Sequence, residues 1–176
     1  MNEHLKLVRA LNDSFSFPQA EHGANAHLSD MDIIAHQALL LGKGSVAFKA
    51  IKRGVMADIL AALVDLAYCA LGAIAMRGAD VAEHPVSWHH EKSVLPLVQL
   101  LSDKISHCST GSADDYSEVY CLCVALASGF LNADFDKAFK KVHDNYLANR
   151  KVSGKFFCET LEEIRKTPDL SDCLYE

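Results

Sequence analysis

Apolar residues recur at helical spacing along most of the chain, and no segment alternates apolar and polar residues as a β-strand would. This pattern predicts seven helices, over residues 2–12, 30–53, 55–77, 91–108, 116–131, 135–150 and 157–166. Ser29 or Asp30 can cap the second helix, and Asp134 can cap the sixth. Residues 13–28 are expected to form a polar loop and the last six residues to fray. The fold class is therefore predicted to be all-α.

The third helix contains the most apolar stretch of the chain, ILAALVDLAYCALGAIAM, which holds a single charge. Its 18 residues approach the length of a membrane span. Asp65 lies at its middle, where a carboxylate is costly in lipid. The sequence therefore favours a buried central helix of a bundle, ended by Gly78, over a membrane helix.

We expect helices two and three to form one antiparallel hairpin and helices four and five another, with extra N- and C-terminal helices around them. A chain of 176 residues can bury a sizeable core as one domain, here residues 1–176 with a bundle core of about 31–150.

Charge and cysteine content narrow the classes of function. The net charge of −6 and the pI of about 5.8 argue against binding a nucleic acid polymer, which needs a basic face. The six cysteines include no CxxC pair, so a zinc knuckle is not expected. The first residues, MNEHLKLVRALND, lack the apolar core of a signal peptide. A cytoplasmic protein with free thiols and no membrane partner is expected.

Asp65 is the most informative single residue, because a carboxylate buried without a partner costs several kcal/mol. One interpretation is a metal ligand inside the bundle. The other is an aspartate bonded to a Tyr, Lys or Arg across the bundle or in a dimer interface. The spacing of residues alone leaves both open.

The segment ILAALVDLAYCALGAIAMRGADV resembles part of the motif of the all-α nucleoside-triphosphate pyrophosphohydrolases, the MazG-like and phosphoribosyl-ATP pyrophosphohydrolase-like superfamily. In that superfamily, a helix with Glu-x-x-Asp faces a helix with Glu-x-x-Glu, and the four acids bind magnesium. The positions that match are Asp65, Tyr68, Gly72, Gly78 and Asp80. The later stretch DFDKAFKKVHDN is similar to the next segment of the family, and the resemblance covers about residues 31–150.

The resemblance implies a helical bundle, a homodimer, that uses Mg²⁺ to cleave a nucleotide into a monophosphate and pyrophosphate. It assigns phosphate contacts to Lys141, Asn145 and Arg150. Asp65 would be a catalytic metal ligand, and we expect Glu118 of the second hairpin to share the ion with it.

The sequence also departs from the family pattern. Ala62 stands where the first acid of Glu-x-x-Asp is expected, and the facing helix has no acid near Gly42, Lys43 or Val46. Because Mg²⁺ needs several oxygen ligands, the missing acids must come from elsewhere. The second hairpin can supply them from Glu91, Asp114, Asp115 or Glu118, or a partner chain can. Otherwise catalysis is lost, and the alternative function is a catalytically silent bundle that binds a nucleotide or a protein.

Histidines and lysines provide two further candidate sites. His84, His89, His90 and Glu91 cluster before the fourth helix, and with His143-Asp144 they are the candidates for a histidine–carboxylate metal site. Lys43, Lys49, Lys52 and Arg53 form a basic patch that can bind polyphosphate or simply complement the helix dipole.

Overall fold

The computed structural model describes residues 1–87, 93–149, 155–164 and 166–175. Its seven α-helices are α1 (Glu3–Phe15), α2 (Asp30–Arg53), α3 (Met56–Arg77), α4 (Leu95–His107), α5 (Ala113–Ala125), α6 (Phe135–Ala148) and α7 (Phe157–Glu163). Short 3₁₀ turns occur at Cys108–Thr110 and Ser171–Cys173, and a π-helical turn follows α5 at Leu126–Phe130. Within these described ranges the β-structure is limited to one isolated bridge, between Ala133 and Leu174. The all-α class is confirmed.

Several helix ends lie where the capping residues of the sequence predict them. The Ser29 hydroxyl accepts a hydrogen bond from an amide of the first turn of α2, and the Asp134 carboxylate does the same for α6. Gly54 and Gly78 end α2 and α3 in the left-handed conformation, with φ of 74° and 67°. α5 begins at Ala113, three residues earlier than predicted, because Ser112 caps it.

α3 is the central helix, and it packs against α1, α2, α5, α6 and α7. It is long and apolar enough to cross a membrane, but 94 % of its most apolar window is buried inside the bundle. The predicted buried position of this helix is confirmed. The expected arrangement as two antiparallel hairpins stays a prediction; α3 packs closely on both α2 and α5.

Gly72 allows α7 to approach the middle of α3. A Cβ atom at this position would lie 2.2 Å from ring atoms of Phe157, the first residue of α7. This contact brings the C-terminal part of the chain onto α3 and α2.

The polar loop before α2 binds the C-terminal end of α3. Its amides donate to three carbonyls there: Ala20 to Met76 at 3.0 Å, Gly23 to Gly78 at 2.7 Å and Ala26 to Arg77 at 2.7 Å. These bonds satisfy carbonyls that the helix itself leaves without partners. The loop is therefore part of the packed fold.

The C-terminal segment is packed on the bundle, and the expectation that it frays is wrong. Leu170 and Cys173 are each only 1 % exposed. The Cys173 carbonyl accepts from the Asp134 amide at 2.8 Å, and the Asn132 carbonyl accepts from the Tyr175 amide at 3.0 Å. Apolar burial and backbone pairing together hold the segment in place.

Candidate functional site

Asp65 of α3 forms an ion pair with Lys43 of α2. The Lys43 Nζ atom lies 2.8 Å from Asp65 Oδ2, and the two side chains are 12 % and 10 % exposed. Lys43 is at one of the positions where the resemblance requires an acid. The structure therefore agrees with the second interpretation of Asp65, an aspartate bonded to a lysine across the bundle.

The two charges of this pair depend on each other. Burial raises the pKa of Asp65, and the neighbouring Lys43 ammonium opposes that shift. Burial is the largest single influence on the pKa of Lys43 and lowers it, but the charge and hydrogen bond of Asp65, together with Cys69 and Glu162, more than offset burial, so the pKa is raised overall. Lys43 is thus protonated at neutral pH, and its charge favours the ionised form of Asp65.

The ion pair lies in the wall of a pocket of about 440 Å³. The α2 side of the pocket is small and apolar apart from Lys43, and the other elements contribute polar residues; the lining is Ala38, Leu39, Gly42, Val46, Lys43, Asp65, Glu162 and Thr167. Asp65 Oδ1 is buried and has no hydrogen-bond partner in the described part of the chain. A buried acceptor without a partner is energetically costly.

Glu162 and Thr167 are pocket residues that the sequence alone does not identify. Both come from the C-terminal segment, which α7 carries onto α2. The signal that places them there is the Gly72–Phe157 contact. The sequence shows a glycine within an apolar helix, but it does not indicate which segment packs against that glycine.

Glu118 does not meet Asp65 in this structure, so the predicted shared ion lacks its second ligand. The Glu118 carboxylate is 2.5 Å from the Lys104 ammonium and lines a different pocket, between α4 and α5. The reason is the helical phase of α5: Tyr116 and Ser117 are buried, whereas Glu118 is turned toward α4.

Glu118 belongs instead to a small cluster with His84 and Asp114. Ligand-type atoms of the three residues lie within 4.8 Å of one another, a spacing that can hold a metal ion. Each side chain already has a charged or polar neighbour: His84 Nε2 is 2.9 Å from Asp114, and Lys104 neutralises Glu118. The three side chains are therefore already paired with one another or with Lys104.

His143, another histidine of the predicted metal site, lies elsewhere. Its Nδ1 atom and the Tyr68 hydroxyl form a hydrogen bond of 2.8 Å within the core. His89, His90 and Glu91 are outside the described residues.

Lys141 and Asn145 contact the C-terminal segment. The Lys141 ammonium is 2.6 Å from Asp172, and hydrogen bonds from Lys141 and Lys137 lower the pKa of Asp172 to about 2. The Asn145 side chain donates to the Lys166 carbonyl at 2.8 Å, next to Thr167 of the pocket. Their phosphate contacts stay a prediction, and Arg150 lies outside the described residues.

Another cavity, of about 710 Å³, lies beside α5 and is lined by residues that include Asn2, His84, Tyr120 and Cys121. At its edge, His4 bridges the Tyr120 hydroxyl at 2.7 Å and Asp136 at 2.9 Å. Burial raises the pKa of Tyr120, so this phenol stays protonated. The bridge is suited to fixing the N-terminus of α1 against α5 and α6.

Comparison of the chain with protein-family models, with curated proteins and with solved structures finds no match.

Proposed function

We propose that this chain is a nucleotide-binding helical bundle related to the all-α pyrophosphohydrolases, and that it binds its ligand at the Asp65 pocket without cleaving it. The observation that carries the proposal is the Lys43–Asp65 pair at 2.8 Å. Lys43 supplies the positive charge that a divalent cation would otherwise bring to Asp65. A lysine at this position neutralises the carboxylate without polarising a water molecule for attack.

The charges of the pocket indicate which part of a nucleotide enters it. Lys43 brings one positive charge, whereas Asp65 and Glu162 bring two negative ones. A bare triphosphate is repelled by such a site, while a neutral base or sugar is not. The nucleoside therefore lies inside, and the phosphates extend from the mouth toward solvent.

The lining residues suit a nucleoside. The volume of about 440 Å³ is within the usual range of ligand pockets, about 300–1,000 Å³. Ala38, Leu39 and Val46 offer an apolar wall to a base. Asp65 Oδ1 accepts a hydrogen bond from an amino or hydroxyl group of the ligand, which removes the cost of its missing partner.

Isothermal titration with a nucleoside, its monophosphate and its triphosphate, all without Mg²⁺, tests the proposal. We expect saturable binding of the nucleoside that the phosphates do not strengthen. Thr167→Val removes a polar group from an exposed part of the pocket without disturbing the core, and Asp65→Asn weakens the acceptor; both should lower affinity several-fold. Glu163→Gln, next to Glu162 but outside the pocket lining, is the matched control and should bind as the unchanged protein does. If none of the three compounds binds, the proposal is wrong.

Mg²⁺-dependent hydrolysis is the second candidate, and one observation favours it. Glu162 lines the same pocket as the unpartnered Asp65 Oδ1, so two carboxylates are available if Lys43 moves onto a phosphate. Water would then form a bond to the α-phosphorus as the α–β bridging bond breaks, which yields a monophosphate, pyrophosphate and a proton.

Pyrophosphate release measured with Mg²⁺ separates the two candidates. A release that Glu162→Gln abolishes and Glu163→Gln preserves establishes the hydrolase and overturns the silent binder. Nucleoside binding without any release supports the silent binder.

A further inference from the structure

The outer face of α2 is uncharged over its middle turns. Between Asp32 and Lys49 the exposed positions carry only apolar or small side chains: Ile34, Ala38, Leu41, Gly42, Ser45 and Val46. Ile34 is 58 % exposed and Leu41 is 56 % exposed, and Met31, just before them, is 71 % exposed. Contiguous exposed apolar surface of this kind marks an interaction site.

The spacing on this face matches that of two helices packed along their length. Positions 31, 34, 38, 41, 45, 48 and 52 alternate steps of three and four residues. This is the repeat that allows side chains of one helix to fit between those of another. Most of these positions face away from α3, so a single copy of the chain does not use the repeat.

Gly42 makes no close contact within one copy of the chain, although it is one of the residues that line the Asp65 pocket. A Cβ atom added there would have nothing within 4 Å, although glycine inside a helix is destabilising. Gly44, two residues later, is explained, since its Cβ would lie 2.8 Å from Ile105. The missing side chain widens the pocket at this point, and it also allows a second helix to approach α2 closely.

The charges at the two ends of α2 identify the second helix. The first turn carries Asp30 and Asp32, and the last turn carries Lys52 and Arg53. An antiparallel copy of α2 therefore sets acidic residues against basic ones at both ends. A parallel copy would set like charges together.

We propose that a second copy of this chain packs on α2, antiparallel and about a two-fold axis between Leu41 and Gly42. In this register Asp30 lies opposite Arg53 of the other copy, Met31 opposite Lys52, and Ala38 opposite Ser45. The small residues at the centre allow the helices to approach closely. The interface does not depend on the proposed function, but Ala38, Gly42 and Val46 also line the Asp65 pocket, so the second copy forms one edge of its mouth.

Sedimentation equilibrium of the full chain tests the interface with two matched variants. Leu41 and Leu95 are 56 % and 57 % exposed, so replacing either with Glu removes a similar amount of apolar surface. We expect the unchanged chain and Leu95→Glu to be dimers, and Leu41→Glu to be monomeric with an unchanged helical circular-dichroism spectrum. A monomeric unchanged chain, or a dimer that persists in Leu41→Glu, overturns the proposal.

Charge reversal tests the register. Asp30→Arg and Arg53→Glu should each weaken the dimer at least several-fold, and the double variant should recover most of the loss. If the dissociation constant of the double variant does not return to near that of the unchanged chain, the antiparallel register is ruled out. A monomer that sediments with phospholipid vesicles shows that the face binds a lipid surface instead, and also overturns the proposal.

Discussion

Lys43 and Asp65 are charged groups within an apolar bundle, and neither is stable there without the other. Removing one partner leaves a buried charge with no compensation, which typically costs about 3–5 kcal/mol. Replacing both with apolar residues removes the desolvation penalty together with the attraction, and is often neutral or stabilising.

We predict that Lys43→Met and Asp65→Leu each lower the free energy of unfolding by about 3 kcal/mol, whereas the double variant lies within about 1 kcal/mol of the unchanged protein or above it. Urea unfolding at one fixed protein concentration measures all four forms. Additive losses in the double variant would show that the two side chains act independently.

His36 makes stability depend on pH. It is 1 % exposed, and burial lowers its pKa to about 4. The folded state therefore favours the neutral ring. The contribution of the neutral ring to folding stability is complete above pH 6.5, which is about the pKa of the histidine in the unfolded chain. This contribution is lost as the pH falls through about 4, the pKa in the folded protein.

A shift of this size corresponds to about 3 kcal/mol at most. We predict that His36→Leu flattens the fall in unfolding free energy between pH 6.5 and 4, measured by urea unfolding at several pH values. His107→Leu, at an exposed position of α4, is the control and should keep the slope. An unchanged slope in His36→Leu contradicts the assignment.

At the scale of elements, α3 and α7 approach each other closely where Phe157 lies against Gly72. Gly72 gives Phe157 the space to lie against the α3 backbone, and this contact sets the height at which α7 crosses the bundle. Through α7, the same contact determines where Glu162 and Thr167 reach the pocket.

We predict that Gly72→Ala destabilises the protein by about 1–3 kcal/mol, because the new methyl group would overlap the Phe157 ring. Phe157→Leu in the same chain should recover part of the loss by making room. Thermal unfolding measures both forms, and full tolerance of Gly72→Ala would mean that α7 is not closely packed at this point.

At the scale of the whole molecule, the C-terminal segment holds the bundle and the pocket together. Leu170 and Cys173 are buried, Lys141 pairs with Asp172, and Asn145 binds the Lys166 carbonyl. The apolar contacts dominate, since exposed ion pairs contribute about 1 kcal/mol or less.

We predict that deleting residues 169–176 lowers the unfolding free energy by about 3 kcal/mol, the value of two buried side chains, whereas Asp172→Asn changes it by less than about 1 kcal/mol. Urea unfolding of the two variants distinguishes apolar packing from charge pairing. A larger loss in Asp172→Asn than in the deletion would reverse this ranking.

Much of the local structure follows from short stretches of sequence. Ser29, Asp134, Gly54 and Gly78 end or begin helices because each acts on backbone groups within a few residues of itself. The burial of α3 also follows, because a helix that is apolar on all sides must be covered. The extended C-terminal tail was mispredicted, since its burial depends on surfaces of α6 that the tail sequence does not specify.

The sequence by itself determined the helical class, the central helix and the unusual position of Asp65. Only the tertiary structure decided that Lys43 is the partner of Asp65, that Glu118 faces α4, and that Glu162 reaches the pocket. The physical reason is range: helix periodicity and caps act within about one or two turns, whereas the partner of a buried charge is set by how distant segments pack.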